Sequence, residues 1–168
     1  PCCTLVVFLF SSILAMMGQN AVIINEIHYN PDVKVEHVAF WQLYNRGSEA
    51  VDVSGWEFDA GITYTIPDGT IIAAGGYLAI SENPTAFAAK FGTNALGPWV
   101  GSLNNEGELV RLVNGRGQLE DEVEYQLGFP WPTVGDEPGF SIELINPGFD
   151  NDLGGNWRSM FIPPARPA

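Results

Sequence analysis

The sequence predicts an all-β domain, a sandwich or a closed barrel, and three observations carry that expectation. Short runs of alternating apolar and polar residues follow one another from Val22 onward, with turn residues between them. Nineteen Gly and twelve Pro among 168 residues are about a fifth of the chain, which suits many short strands better than long helices. Only residues 84–91 (PTAFAAKF) read as helical, closed by Gly92.

The elements follow in order. Residues 22–30 (VIINEIHYN) alternate and stop at Asn30-Pro31-Asp32, and residues 37–45 (HVAFWQLYN) form a second strand closed by Arg46-Gly47-Ser48. Residues 51–59 carry a kink at Ser54-Gly55-Trp56. Residues 62–66 (ITYTI) run into the turn Pro67-Asp68-Gly69-Thr70, and Gly75-Gly76 opens the strand 77–81. Residues 109–113 and 122–125 read as a hairpin around Asn114-Gly115-Arg116-Gly117, an Asn-Gly turn that favours paired strands. Residues 140–145 (FSIELI) are the last clear strand, for about seven or eight in all.

The ends read differently. Residues 4–17 form an uncharged apolar run of signal-peptide length, too short for the roughly 20 residues of a membrane span. Residues 1–21 are therefore expected to be a leader truncated at its start, with cleavage between Gln19 and Val22; the competing reading is a buried apolar strand pair. Residues 22–160 would be the domain and residues 161–168 a Pro-rich tail or linker. Cys2 and Cys3 would leave with the leader, so the mature protein would hold together without disulfides. The expected location is secreted or cell surface, with no membrane span in the mature chain.

Composition narrows the function. Hydrophobic residues at 46% and aromatics at 12% supply a core, which excludes a disordered chain. A formal net charge of −13 repels phosphate backbones and anionic headgroups, so a nucleic-acid partner is not expected.

A chain of motifs then becomes recognisable: INEI (24–27) with Tyr29-Asn30-Pro31, FWQLYN (40–45), SGW (54–56), PDGT with AAGGYLAI (73–80), and LNNEGELVRL (103–112). DEVEY (121–125), WP (131–132), SIELINP (141–147) and NWRS (156–159) follow in the same order. Over nearly the whole chain after the leader, this order resembles bacterial lamin tail domains. The resemblance implies an immunoglobulin-like β-sandwich of about seven to nine strands. It also implies a non-catalytic module of the kind found beside enzymatic or surface-anchoring parts of exported proteins. The nuclear relatives help build filaments, but no coiled-coil heptads precede the domain here. Gln42 stands where bacterial members commonly place Glu, so any cation held by that carboxylate in relatives would meet one charge fewer here.

Candidate chemistry is sparse. His28 and His37 are the only histidines, and strand-paired histidines more often hydrogen-bond than act as bases. No nucleophile elbow, zinc-protease motif, phosphate-binding glycine loop or mature cysteine is present, although twenty acids leave a two-carboxylate glycosidase open. Calcium is the stronger alternative, with Asp150 and Asp152 in a D-x-D spacing before Gly154-Gly155, and Asp136 added if loops converge. Against it, Asp150 and Asn151 would cap a turn. Trp41, Trp56, Trp131 and Trp157 lie in the shared motifs and read as core, whereas Trp99, between Gly-Pro and Val-Gly, is the expected exposed aromatic of an interaction surface.

The expected function is thus a non-catalytic exported module for protein or glycan interaction, adhesion or scaffolding, without a cofactor. A calcium-dependent binding module comes second and a small hydrolase third.

Overall fold

A computed structural model describes residues 20–32, 35, 37–133 and 139–161. Among these, eleven strands and one α-helix follow in chain order, with a short 3-10 turn at Gly154–Asn156 before the last strand. They are β1 Val22–His28, β2 Phe40–Asn45, β3 Val51–Asp52, β4 Glu57–Ala60, β5 Tyr64–Thr65, β6 Ile71–Ile72, β7 Tyr77–Ser81, α1 Pro84–Phe91, β8 Gly107–Val113, β9 Leu119–Gln126, β10 Phe140–Leu144 and β11 Trp157–Phe161. One sheet has the order β11-β10-β1-β2-β7, a second β5-β4-β8-β9, and β3 pairs with β6 alone; every pairing is antiparallel.

The two larger sheets face each other over a common interior. Trp41 on β2 lies 6.3 Å from Phe58 on β4 and 6.0 Å from Tyr125 on β9, ring centre to ring centre. Ile24, Ile27, Leu43, Ile80 and Ile142 from one sheet and Val110, Leu112 and Val123 from the other complete one buried cluster. This is the immunoglobulin-like sandwich that the motif order implies. Trp56 and Trp157 are buried as expected, and Trp131 packs 5.9 Å from Trp157.

The strand count is higher than expected because residues 51–59 split into β3 and β4, and because two further strands, β6 and β11, show no clear pattern in the sequence. The first is two residues long. The second lies at the edge of its sheet, where Arg158 and Met160 leave little apolar alternation to detect. Strand β1 also departs from simple alternation. Ile24 faces Leu43 and Glu26 faces Gln42, so Asn25 is an extra residue and forms a β-bulge. The bulge shifts the side-chain phase by one, so Ile24 and Ile27, three apart, both point into the core.

The hairpin turn is also built differently from an Asn-Gly pair with positive φ at Gly115. Gly117 holds the left-handed conformation (φ 74°) and donates to the Asn114 carbonyl. The Asn114 side-chain oxygen accepts from the N–H groups of Arg116 and Gln118.

Helix α1 has the predicted limits, and local chemistry explains both. Asn83 caps its start by accepting from the Ala86 N–H at 3.1 Å, and Pro84 occupies the first turn. Gly92, at φ 70°, ends it and donates to the Ala88 carbonyl. Phe87 and Phe91 lock it onto the outer face of the five-stranded sheet, each within 6 Å of the Phe40 ring.

Candidate functional site

Helix α1 separates two clefts. The larger, of about 710 Å³, lies at its N-terminal end among His37, Glu82, Asn83, Thr85, Pro98 and Trp99. His37 Nδ1 and Glu82 Oε1 are 3.0 Å apart on its rim, and His37 takes a positive φ of 53°. Trp99 contributes to this cleft, but the expectation that it is exposed is corrected, since only 6% of its surface is accessible. The reason is a two-bond bridge between Thr63 and Val100, with N–H···O distances of 2.9 and 3.0 Å. Alternation about that bridge turns Val100 outward, 74% exposed, and sends the neighbouring indole into the core.

The smaller cleft, about 300 Å³, opens between α1 and the outer face of the five-stranded sheet. A row of side chains crosses that face in register: Arg158, Glu143, Glu26, Gln42 and Ala79. Arg158 donates twice to Glu143 Oε2, at 2.7 and 3.1 Å. The Ser141 hydroxyl donates to Glu26 Oε1 at 2.6 Å. Burial pushes the Glu26 carboxyl above its ordinary pKa; the Ser141 bond opposes this and the Glu143 charge adds to it. Tyr77 packs against Tyr44 with ring centres 4.6 Å apart and the planes tilted by 33°, and burial raises its phenol pKa, with Tyr44, Glu143 and Glu26 adding to the shift.

A third cluster is structural. Pairing between β1 and β10 stops at Glu26, leaving the backbone of Ile24, which is paired with Leu43 on its β2 side, without a partner on its β10 side. Two side chains take the strand's place: Asp121 Oδ2 accepts from the Ile24 N–H at 2.6 Å, and Asn151 donates to the Ile24 carbonyl at 3.2 Å. Asn151 also donates to Asp121 at 2.7 Å, and its own carbonyl accepts from Trp157 Nε1 at 2.7 Å. Burial pushes the Asp121 carboxyl up to about 6, against the pull of the Ile24 N–H, Asn151 and Arg46. Sequence reasoning passed over Asp121 as one of several acids in residues 120–124. The signal was its parity: it alternates with Val123 and Tyr125, both buried.

Two of the residues considered for calcium each engage a backbone N–H through one carboxylate oxygen. Asp150 Oδ1 accepts from the Asp152 N–H at 3.0 Å, a turn cap, and Asp152 Oδ1 accepts from the Glu124 N–H at 3.2 Å. Asp136 lies outside the described residues. Among those described, no three His, Cys, Asp or Glu side chains gather in a metal-binding group. His28 is buried beside Phe40 and Phe91, its Nδ1 2.9 Å from the Phe140 carbonyl. Among the described residues no helix is long and apolar enough to cross a membrane.

No curated protein matches the chain. The family model described as the Lamin Tail Domain matches residues 16–126, about two thirds of the sequence, and those residues span β1 through β9 of the sandwich. The chain belongs to the lamin tail domain family.

Proposed function

We propose that the chain is an exported, non-catalytic interaction module that offers the loops around α1 to a protein or glycan partner, for adhesion or scaffolding. The observation that carries the reading is the cleft of about 710 Å³ at the N-terminus of α1. Its volume lies within the range of ligand-binding clefts, and it mixes a Pro98–Trp99 wall with hydrogen-bonding groups from His37, Glu82, Asn83 and Thr85. Membership of a family of immunoglobulin-like, non-enzymatic domains supports the absence of catalysis. So does the use of the histidines: His28 faces a backbone carbonyl, and no hydroxyl or thiol is hydrogen-bonded to the His37–Glu82 pair among the described residues. Export is supported by the uncharged run at residues 4–17. A calcium-dependent module is the alternative reading; Asp150 and Asp152 each give one oxygen to a backbone N–H group.

The test is binding of the purified chain to a glycan array and to a panel of defined cell-surface proteins, beside Thr85→Arg, which fills the mouth of the cleft. The expected result is a ligand whose affinity falls at least about tenfold, roughly 1.4 kcal/mol, in the variant. Equal binding by both proteins would remove the cleft from the function. Turnover of glycosidase or esterase substrates, lost in Glu82→Gln, would overturn the non-catalytic reading. A calorimetric titration is expected to give no heat with millimolar calcium; heat together with a raised melting temperature would favour the calcium-dependent alternative.

A further inference from the structure

The smaller cleft shares no lining residue with the larger one. Its charge is also unbalanced. Glu26 Oε1 is taken by the Ser141 hydroxyl, while Oε2 has no hydrogen-bond partner among the described residues. The cation of this row, Arg158, lies two strands from Glu26 and is spent on Glu143 of the strand between them. A half-buried carboxylate therefore stands without a counter-ion, walled by Phe87, Phe91 and Tyr77 and flanked by the amides of Gln42 and Asn94.

We propose that this cleft receives the side-chain ammonium of a lysine presented by a partner protein, with Glu26 as its counter-ion and the aromatic wall against its methylene stem. Three features select that occupant. A volume of about 300 Å³ is at the small end for ligand sites, enough for one extended side chain. A hard metal ion needs six or more oxygen ligands, and the aromatic walls supply none. A guanidinium prefers both oxygens of a carboxylate, and Ser141 already holds one; an ammonium is a point charge that can use the single free oxygen. Burial disfavours the bare Glu26 anion, so a cation that neutralises it relieves a cost already present in the folded protein. An aromatic face beside the cation adds attraction of its own. The excess of acids over bases across the whole chain attracts a basic partner toward this face.

Amide NMR titration of the full chain tests the proposal with three blocked peptides that differ only in their central residue: lysine, Nε-acetyl-lysine or arginine. The lysine peptide is expected to shift the amides of Gln42, Ala79 and Asn94 in a saturable way. The acetylated peptide should bind at least about tenfold more weakly, and arginine more weakly than lysine. Glu26→Gln, which keeps the acceptor for Ser141, should lose at least about tenfold in affinity for the lysine peptide. Ala79→Leu, which narrows the cleft and leaves the carboxylate in place, should lose binding as well, with melting curves confirming that both variants fold. No saturable shift, equal binding of the acetylated peptide, preference for arginine, or unchanged affinity in Glu26→Gln would each overturn the assignment. Thr85→Arg should leave lysine binding intact, which separates this result from the fate of the larger cleft.

Discussion

Asp121 links the chemistry of one side chain to the stability of the whole domain. Its folded-state pKa of about 6 stands above the ordinary aspartate value of ~4. The folded protein therefore holds this proton more tightly than the unfolded chain does. The resulting stability is fully present below pH ~4, declines as pH rises toward 6, and is absent above it. Two units correspond to at most about 3 kcal/mol. Asp121→Asn keeps an oxygen for the Ile24 N–H and Asn151 but carries no charge. It should raise stability at pH 7.5 and flatten the slope between pH 4 and 6.5 in urea unfolding, leaving the smaller contributions of Glu26 and Glu108, both also raised by burial. Asp121→Ala should cost about 1–3 kcal/mol at pH 4.5, because the Ile24 N–H loses its acceptor. An unchanged slope in the Asn variant would mean that another group titrates. A second residue is constrained by space alone. A Cβ at Gly154 would sit 2.7 to 2.8 Å from three atoms of the Trp131 ring, which packs on Trp157. Gly154→Ala should cost about 1–3 kcal/mol by thermal melting; a loss below about 0.5 kcal/mol would show that the indole can swing aside.

Helix α1 forms a wall of both clefts, yet its eight residues are too few to be stable in isolation. Its N-cap and its two phenylalanines must hold it. Asn83→Ala should cost about 1 kcal/mol and raise amide exchange in residues 87–91 ahead of the sheets, while uniform exchange across the domain would show that helix and sheet open together. This element was legible in the sequence because Asn83-Pro84 and Gly92 act through contacts within four residues. Other features depend on partners far along the chain. The bulge at Asn25 exists only relative to β2, so the segment read as plain alternation. Trp99 read as a loop tip from its Gly-Pro neighbours, and what buries it is a bridge to Thr63, thirty-odd residues away. The Glu26 cleft was illegible for the same reason: its walls come from β1, β2, β7 and α1, which no local pattern places together. The motif order carried the fold because family motifs such as SGW and NWRS hold core tryptophans, whereas the cleft walls lie largely outside the sandwich interior.

At the scale of the molecule, charge is the dominant asymmetry. The seven Lys and Arg face twenty acids, and among the described residues Arg111, Arg158 and Lys90 already pair with Asp59, Glu143 and Asp32. Arg46 is turned to two backbone carbonyls, those of Asn20 and Pro147. What remains at the surface is mostly negative, and its self-repulsion opposes the compact state. Two salt effects therefore compete. Screening weakens the exposed ion pairs, each worth about 0–1 kcal/mol, and it also weakens the repulsion among many unpaired acids. Unpaired acids outnumber the pairs, so the second effect should win. Raising sodium chloride from ~10 to ~150 mM shortens the Debye length from about 30 to 8 Å and should raise the melting temperature by a few degrees. A melting temperature that falls with salt would show that the ion pairs dominate. The same field predicts no retardation of duplex DNA by the protein at ~150 mM salt, since no counterions would be released from the phosphates. A retarded band would mean that the basic side chains gather on one face, overriding the net charge.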